Sequence, residues 1–202
     1  MGPNTNDDTE SLLARCAAGN AEAVSQLLEQ HRPFLRRIAE LRLDRSLRGR
    51  VDPSDVVQET QLEVMRRIVD YVQRRPMSFR VWLHYTACQR LTALWRHHRR
   101  AQRRSVDREI VLPEGSSIAL AQNLLAESPS EQLHQQELAQ KVQEAVGRLD
   151  PADREIVLLR NFEELTNQES AERLAIDEMA ASKRYGRALL RLRKLLREPP
   201  RP

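Results

Sequence analysis

Asp52-Pro53-Ser54-Asp55-Val56-Val57-Gln58-Glu59-Thr60 reads as the start of a helix. Asp52 can cap the free backbone N–H groups, Pro53 suits the first helical position, and Asp55 places a favourable negative charge in the first turn. Further along, Val57, Val64, Met65, Ile68 and Val72 recur at helical spacing on one side, while Asp55, Gln58, Glu59, Leu62, Glu63 and Arg66 face elsewhere. The spacing therefore predicts an amphipathic helix whose exposed face is acidic and carries one apolar residue, Leu62. After a break at Arg74-Arg75-Pro76, Ser78 opens a second helix through Phe79, Trp82 and Leu83. It ends in a basic run, Arg96-His97-His98-Arg99-Arg100-Ala101-Gln102-Arg103-Arg104. Two surfaces of opposite sign thus lie within fifty-odd residues of chain.

Working outward, the composition favours helices. Ten prolines stand against six glycines in 202 residues, and aromatic residues make up 4 %, which suits two small helical domains better than a protein of many tight β turns. Net charge is only +4, but the arginines are clustered, and clustering points to a polyanionic partner. Cys16 and Cys88 lack metal-ligand spacing, and no apolar run reaches the roughly 18 residues of a membrane span, so a reduced, cytoplasmic setting without membrane insertion is expected. The polar 1–8 segment has no signal-peptide core and reads as a disordered tail.

From Thr9, a candidate cap, a short helix should run to Ala18. Gly19-Asn20 ends it and starts another, with Ala23, Val24, Leu27 and Leu28 on one stripe. His31 to Leu47 continues with Phe34, Leu35, Ile38, Leu41 and Leu43 among arginines that are either a solvated basic face or a nucleic-acid contact. Residues 105–132 change character. Acidic residues outnumber Arg108 there, and Pro113, Gly115, Ser116, Ser117, Ser128, Pro129 and Ser130 interrupt any long periodicity, predicting a flexible acidic linker. Beyond it, Leu133, Leu138, Val142 and Val146 mark a helix, and Asp150-Pro151 caps the next. Thr166 and Glu169 form a capping box, and Asp177 caps a last helix rich in Arg and Lys. Two helices joined by a tight turn at Ala175-Ile176, the second basic, describe a helix-turn-helix. The fold class expected is all-α, with two small helical domains joined by a flexible linker.

Asp55-Val56-Val57-Gln58-Glu59-Thr60 resembles the D-L-V-Q-E-T segment of domain two in the sigma-70 family of bacterial transcription initiation factors, and Phe79, Trp82, Leu83 and Ala87 match that family's F-x-x-W-L-x-x-x-A pattern. Leu149-Asp150-Pro151-Ala152-Asp153-Arg154-Glu155 and Leu158-Leu159-Arg160 resemble the L-P-x-x-x-R-E and L-L-R of domain four. Arg184, Arg187, Ala188 and Arg191 coincide with its last-helix framework. The likeness is closest to the extracytoplasmic-function group. It implies domain two over 9–104, an acidic linker over 105–132 and domain four over 133–198. It further implies docking on core RNA polymerase through Asp55, Gln58, Glu59, Leu62 and Glu63. The −10 promoter element would be read by Gln73, Arg74, Arg75 and Met77 in a base-capturing loop over 72–78, together with Gln89, Arg96, Arg99 and Arg100. The −35 element would be read by Ser182, Lys183, Arg184 and Arg187. Partners implied are core RNA polymerase and promoter DNA, with an anti-sigma protein as a candidate regulator. Gln89, Arg90 and Ala93 stand where many members carry Asn, an apolar residue and Asp.

Catalytic chemistry finds no support in the residues. There is no Gly-rich phosphate loop, no H-E-x-x-H and no paired Cys motif, so no catalytic residue, cofactor or metal is assigned. The adjacent His97 and His98 point to different sides of a helix. Trp82 reads as core, Trp95 as either core or a stacking platform at the edge of the basic run, and both cysteines as small buried hydrophobes. A second reading is a stand-alone helix-turn-helix regulator whose N-terminal helices dimerise or sense a signal. The acidic helix discriminates between the two, since a free-standing regulator has no evident need for it.

Overall fold

Helix ends fall largely where the capping residues stand. The computed structural model describes residues 5–44, 47–101, 110–125 and 132–198, with 5–7, 98–101 and 132–134 in backbone only. Among the described residues the regular elements are helices: α1 (Thr5–Ala17), α2 (Ala21–Arg42), α3 (Pro53–Arg74), α4 (Phe79–Ala101), α5 (Glu114–Leu125), α6 (Gln132–Gly147), α7 (Pro151–Val157), α8 (Asn167–Leu174) and α9 (Glu178–Arg197). A π turn, Leu158–Phe162, extends α7. The chain divides into two units, Met1–Ile110 and Val111–Pro202.

In the first unit, Gly19 takes the left-handed φ of 80° that closes a helix, and its N–H bonds the Cys16 carbonyl at 3.0 Å. Asn20 then caps α2, accepting from the Ala23 N–H at 3.0 Å. Pro33 sits inside α2 on its exposed side. Its ring removes one backbone donor, and the helix continues through it. At α3, Asp52 accepts from the Ser54 N–H at 2.7 Å, while the Asp52 N–H donates to Asp55 at 3.2 Å, a complete capping box with Pro53 behind it. The two Ser54 donors hold the Asp52 carboxyl below its usual range.

α1 begins at Thr5, not Thr9, so residues 5–8 are helical where a tail was expected. Thr9 is buried rather than capping. Its hydroxyl lies 3.2 Å from His31 Nε2 and accepts from Gln30 at 3.3 Å, a tertiary pairing that displaces the local role. The core of this unit is Leu13, Leu27, Leu35, Ile38, Leu41, Val64 and Leu83, each fully buried. Burying each of those leucine or isoleucine side chains favours the fold by about 1.5–3 kcal/mol. Trp82 stacks on Tyr71 with centroids 4.5 Å apart, and Phe79 meets His31 edge-on at 5.1 Å, so one aromatic cluster joins α2, α3 and α4. Arg80 covers the Phe34 ring at 4.4 Å.

In the second unit, Asp150 caps α7 by accepting from the Asp153 N–H at 3.0 Å. The Arg154 guanidinium turns back to seal the end of α6 and the turn after it. It donates to the carbonyls of Val146 at 3.2 Å, Gly147 at 2.5 Å and Leu149 at 3.0 Å. Part of the stretch read as a flexible tether is folded: α5 packs on α6 and α9 with Leu120 and Ala121 buried. Its entry is fixed by the Leu112 N–H donating to Gln143 at 2.7 Å and by the Ser117 hydroxyl donating to the Pro113 carbonyl at 2.9 Å. Pro113, Ser116 and Ser117, read as breakers, stand at a helix start, where both residue types are tolerated, and packing on α6 and α9 supplies what local propensity lacks, while Ser128, Pro129 and Ser130 lie outside the described residues.

Candidate partner and nucleic-acid interfaces

On α3, burial follows Val56, Val57, Thr60, Val64, Ile68 and Tyr71. Met65, expected on that buried side, is instead 46 % exposed, because it lies about 100° round the helix from Val64, and Val72 is only half-buried. The outward side carries Asp55, Gln58, Glu59 and Leu62, with Leu62 50 % exposed, so four of the five expected docking residues share one solvent-facing strip. Glu63 is half-buried and lies 3.7 Å from both Arg66 and Arg67, which leaves it less available than its neighbours. Asp55 serves the capping box with one oxygen. The sequence reading missed how far the strip extends. Leu62, Met65 and Val69 are exposed at i, i+3 and i+7, and that register, counted from Leu62, was the signal that could have found it.

The connection expected over 72–78 is shorter than foreseen. α3 runs to Arg74, placing Gln73 and Arg74 on its last turn, so the non-helical link is only 75–78. Arg75 closes α3 at φ 40°, donating its N–H to the Tyr71 carbonyl at 2.7 Å, and its guanidinium is ion-paired with Glu10 of α1. The Tyr71 hydroxyl donates to the Met77 carbonyl at 2.9 Å, tying the link to the aromatic cluster. Met77 is half-buried.

Along α4, Trp82 is core as expected and Trp95 is half-buried. Gln89 and Arg96 are exposed, seven residues apart and so on overlapping faces. The Arg99 and Arg100 side chains, and Arg103 and Arg104, lie outside the described residues. Cys16 is buried, which pushes its thiol pKa up, while Cys88 is half-buried with its sulfur 3.7 Å from His84 Nδ1. No group of three or more metal-ligating side chains occurs among the described residues. No helix described is long and apolar enough to cross a membrane.

The helix-turn-helix is α8 and α9. Thr166 and Glu169 form the capping box foreseen for α8, at 3.1 Å and 2.8 Å. Ala175 turns the chain at φ 53°, and Asp177 caps α9 by accepting from the Ala180 N–H at 2.7 Å. Asn167 bridges the two helices, accepting from Arg160 at 2.9 Å and donating to the Glu178 carbonyl at 2.9 Å, while Arg160 also covers the Tyr185 ring at 4.6 Å. These contacts fix how α9 leaves the turn. Ser182, Lys183 and Arg187 are exposed on its first turns, Arg184 is half-buried, and Met179 is 65 % exposed ahead of them. Ala181, Ala188 and Leu192 face the core. Arg191, part of the framework noted in the sequence, binds Asp150 and Asp153.

The model of Sigma-70 region 2 matches residues 27–101, and that of Sigma-70 region 4 matches residues 139–192. The chain belongs to the sigma-70 family. With only residues 102–138 between the two matches, it falls in the extracytoplasmic-function group of sigma factors, which direct RNA polymerase to promoters. A curated relative, the RNA polymerase sigma factor CnrH of Cupriavidus metallidurans, is 29 % identical over 197 residues, 96 % of each chain. Two solved structures share the fold. CnrH in complex with the cytosolic domain of CnrY has a TM-score of 0.57 at 24 % identity, covering 94 % of this chain and 97 % of that one. The sigma factor RpoE in complex with the anti-sigma factor NepR from Bartonella quintana has a TM-score of 0.53 at 18 % identity, covering 87 % and 98 %.

Proposed function

We propose that this sigma factor docks on core RNA polymerase through the outward strip of α3, with Asp55, Gln58, Glu59, Leu62 and Glu63 joined by Met65 and Val69. The observation that carries the reading is that strip itself: acidic at its start, apolar beyond, and solvent-facing on a helix whose other side is closed by its own unit. A solvated helix face has no reason to expose Leu62, Met65 and Val69 together. In this reading residues 9–104 form domain two, and domain four extends back to include α5. The link at 75–78 and the preceding turn, with Gln73, Arg74, Arg75 and Met77, take up an unstacked base of the −10 element, while Gln89, Arg96, Arg99 and Arg100 of α4 continue the contact. Ser182, Lys183, Arg184 and Arg187 of α9 enter the major groove of the −35 element. The chain selects the site by base contacts and fixes register by phosphate contacts. The polymerase supplies the chemistry, and the protein acts in the cytoplasm where the polymerase is. An anti-sigma protein restrains it, by analogy with the fold neighbours solved with CnrY and NepR.

Mixing the purified full chain with core polymerase tests this. Co-elution and specific transcript initiation in run-off transcription are the expected results. A chain that forms a stable homodimer, binds DNA unaided and leaves core polymerase untouched would establish the stand-alone regulator instead.

A further inference from the structure

Glu10 lies on α1, ahead of the residues matched by the region 2 model, yet it reaches the link between α3 and α4. Its carboxylate accepts from the Arg75 guanidinium, 65 positions away in sequence. Arg75 and Glu10 side chains are 42 % and 54 % exposed, so water screens the ion pair and it adds little to stability. Holding the fold is therefore a weak reason for the pair. Arg75 also sits at φ 40°, a backbone conformation that costs an ordinary residue energy and that glycine would take freely. Arginine stands there nonetheless, with its side chain held from one direction by Glu10 while Tyr71 ties Met77 from the other.

We propose that Glu10 is a positioning residue for promoter reading: it neutralises Arg75 at the rim of the link and presents its remaining N–H groups to a base edge instead of to a phosphate. This deepens the proposed function and rests on the link being a base-reading loop. The chemistry follows from the pair. A phosphate approaching Arg75 meets the Glu10 charge, which repels it. A nucleobase edge carries a donor beside an acceptor and can bond both, its amino or imino N–H to the carboxylate and its ring nitrogen or carbonyl to the guanidinium. Arg74 on the last turn of α3 has no ion-pair partner among the described residues, so its part in taking up the nucleotide is to hold that nucleotide's phosphate while Arg75 meets the base. The Glu10 hydrogen bond raises the Arg75 pKa further, so the guanidinium keeps its charge.

The test uses the holoenzyme of the full chain on templates with a pre-opened −10 bubble whose upstream bases are randomised. Glu10→Ala, Glu10→Gln and Arg75→Ala are compared with wild type, and core-polymerase affinity and thermal midpoint are measured for each. Glu10→Ala is expected to flatten base preference at one position, a loss of about tenfold in discrimination. It is also expected to steepen the log-log salt dependence by about 0.7, the value of one added single-strand phosphate contact. Glu10→Gln should fall between, and Arg75→Ala should flatten the same position without steepening the slope. Unchanged base preference and slope in Glu10→Ala, with Arg75→Ala flattening preference as stated, would overturn the role of Glu10. An equal loss of yield on every template together with a lowered midpoint would overturn it too, by showing a structural role. Failure of the underlying reading looks different: wild type itself would then show no base preference in the bubble, or no binding to core polymerase.

Discussion

The guanidinium of Arg191 on α9 donates at 2.5 Å to the carboxylate of Asp153 on α7, whose side chain is only 8 % exposed. The same nitrogen donates at 2.5 Å to Asp150, the cap of α7, and the Asp153 backbone N–H together with Arg191 holds the Asp150 carboxyl below its usual range. Arg191→Ala leaves Asp153 buried with no ion-pair partner among the described residues. An expected loss of about 1–3 kcal/mol follows, reduced from the fully buried case because Arg191 itself is half exposed. Both tryptophans lie in the first unit, so their fluorescence will not report this change. Amide hydrogen exchange should show faster exchange in α7 and α9 with α2 to α4 unaltered.

His31 gives the first unit an acid sensitivity of predictable sign. Burial, then the neighbouring Arg80 charge, lowers its pKa from 6.5 to about 4. A base whose pKa is depressed by folding costs no stability above the unfolded value. As pH falls from 6.5 toward 4 the unfolded chain takes up a proton that the folded chain does not, and about 3 kcal/mol is lost. Below 4 this contribution levels off. Denaturation of the full chain followed by tryptophan fluorescence should show the slope in wild type and a flatter one in His31→Gln. Parallel curves would assign the acid sensitivity to carboxylates elsewhere.

Docking through α3 predicts a specific loss. Glu59→Arg with Leu62→Ala should weaken core-polymerase binding roughly 30-fold or more, the scale of a single strong interface residue. Met65→Ser and Val69→Ser should each weaken it by less. All four positions are exposed or at the surface, so circular dichroism should be unchanged. Full affinity in the double variant would remove this surface from the account.

On α9, exposure separates two arginines that the sequence treats alike. Arg187 is exposed and Arg184 half-buried, so Arg187→Ala should relax the selected −35 sequence, with roughly tenfold lost discrimination at one base pair. Arg184→Ala should lower yield with a smaller change in preference. Selection from a randomised upstream hexamer reads both. Identical selected sequences for wild type and Arg187→Ala would show that Arg187 binds phosphate.

Local chemistry was legible wherever a cap was written in adjacent residues. Asp52-Pro53, Asp150-Pro151, Thr166 with Glu169, and Asp177 all mark helix starts that the structure contains. What could not be read depended on partners distant in the chain. Thr9 has the chemistry of a cap, but its partner is His31, and nothing near Thr9 announces that. α5 has weak local signals and forms because α6 and α9 offer it apolar surface. Met65 sits one step from the buried register, a difference of a single residue that an apolar residue type does not disclose. The Arg75 pairing with Glu10 was hidden, like that of Thr9, because the partners stand 65 positions apart in the chain.

Arg154 does its work entirely on carbonyls of its own chain, at Val146, Gly147 and Leu149. Its loss would remove three bonds that close the end of α6 and the turn after it, and would loosen the scaffold beneath α9 without touching any surface proposed for a partner. In a living cell such a change is felt as a faster route to proteases, and a deficit of one or two kcal/mol can alter steady-state abundance several-fold. A genetic screen would therefore recover Arg154 variants as weak alleles that dim every target gene by the same proportion. Variants in the reading helix would instead reorder which genes respond.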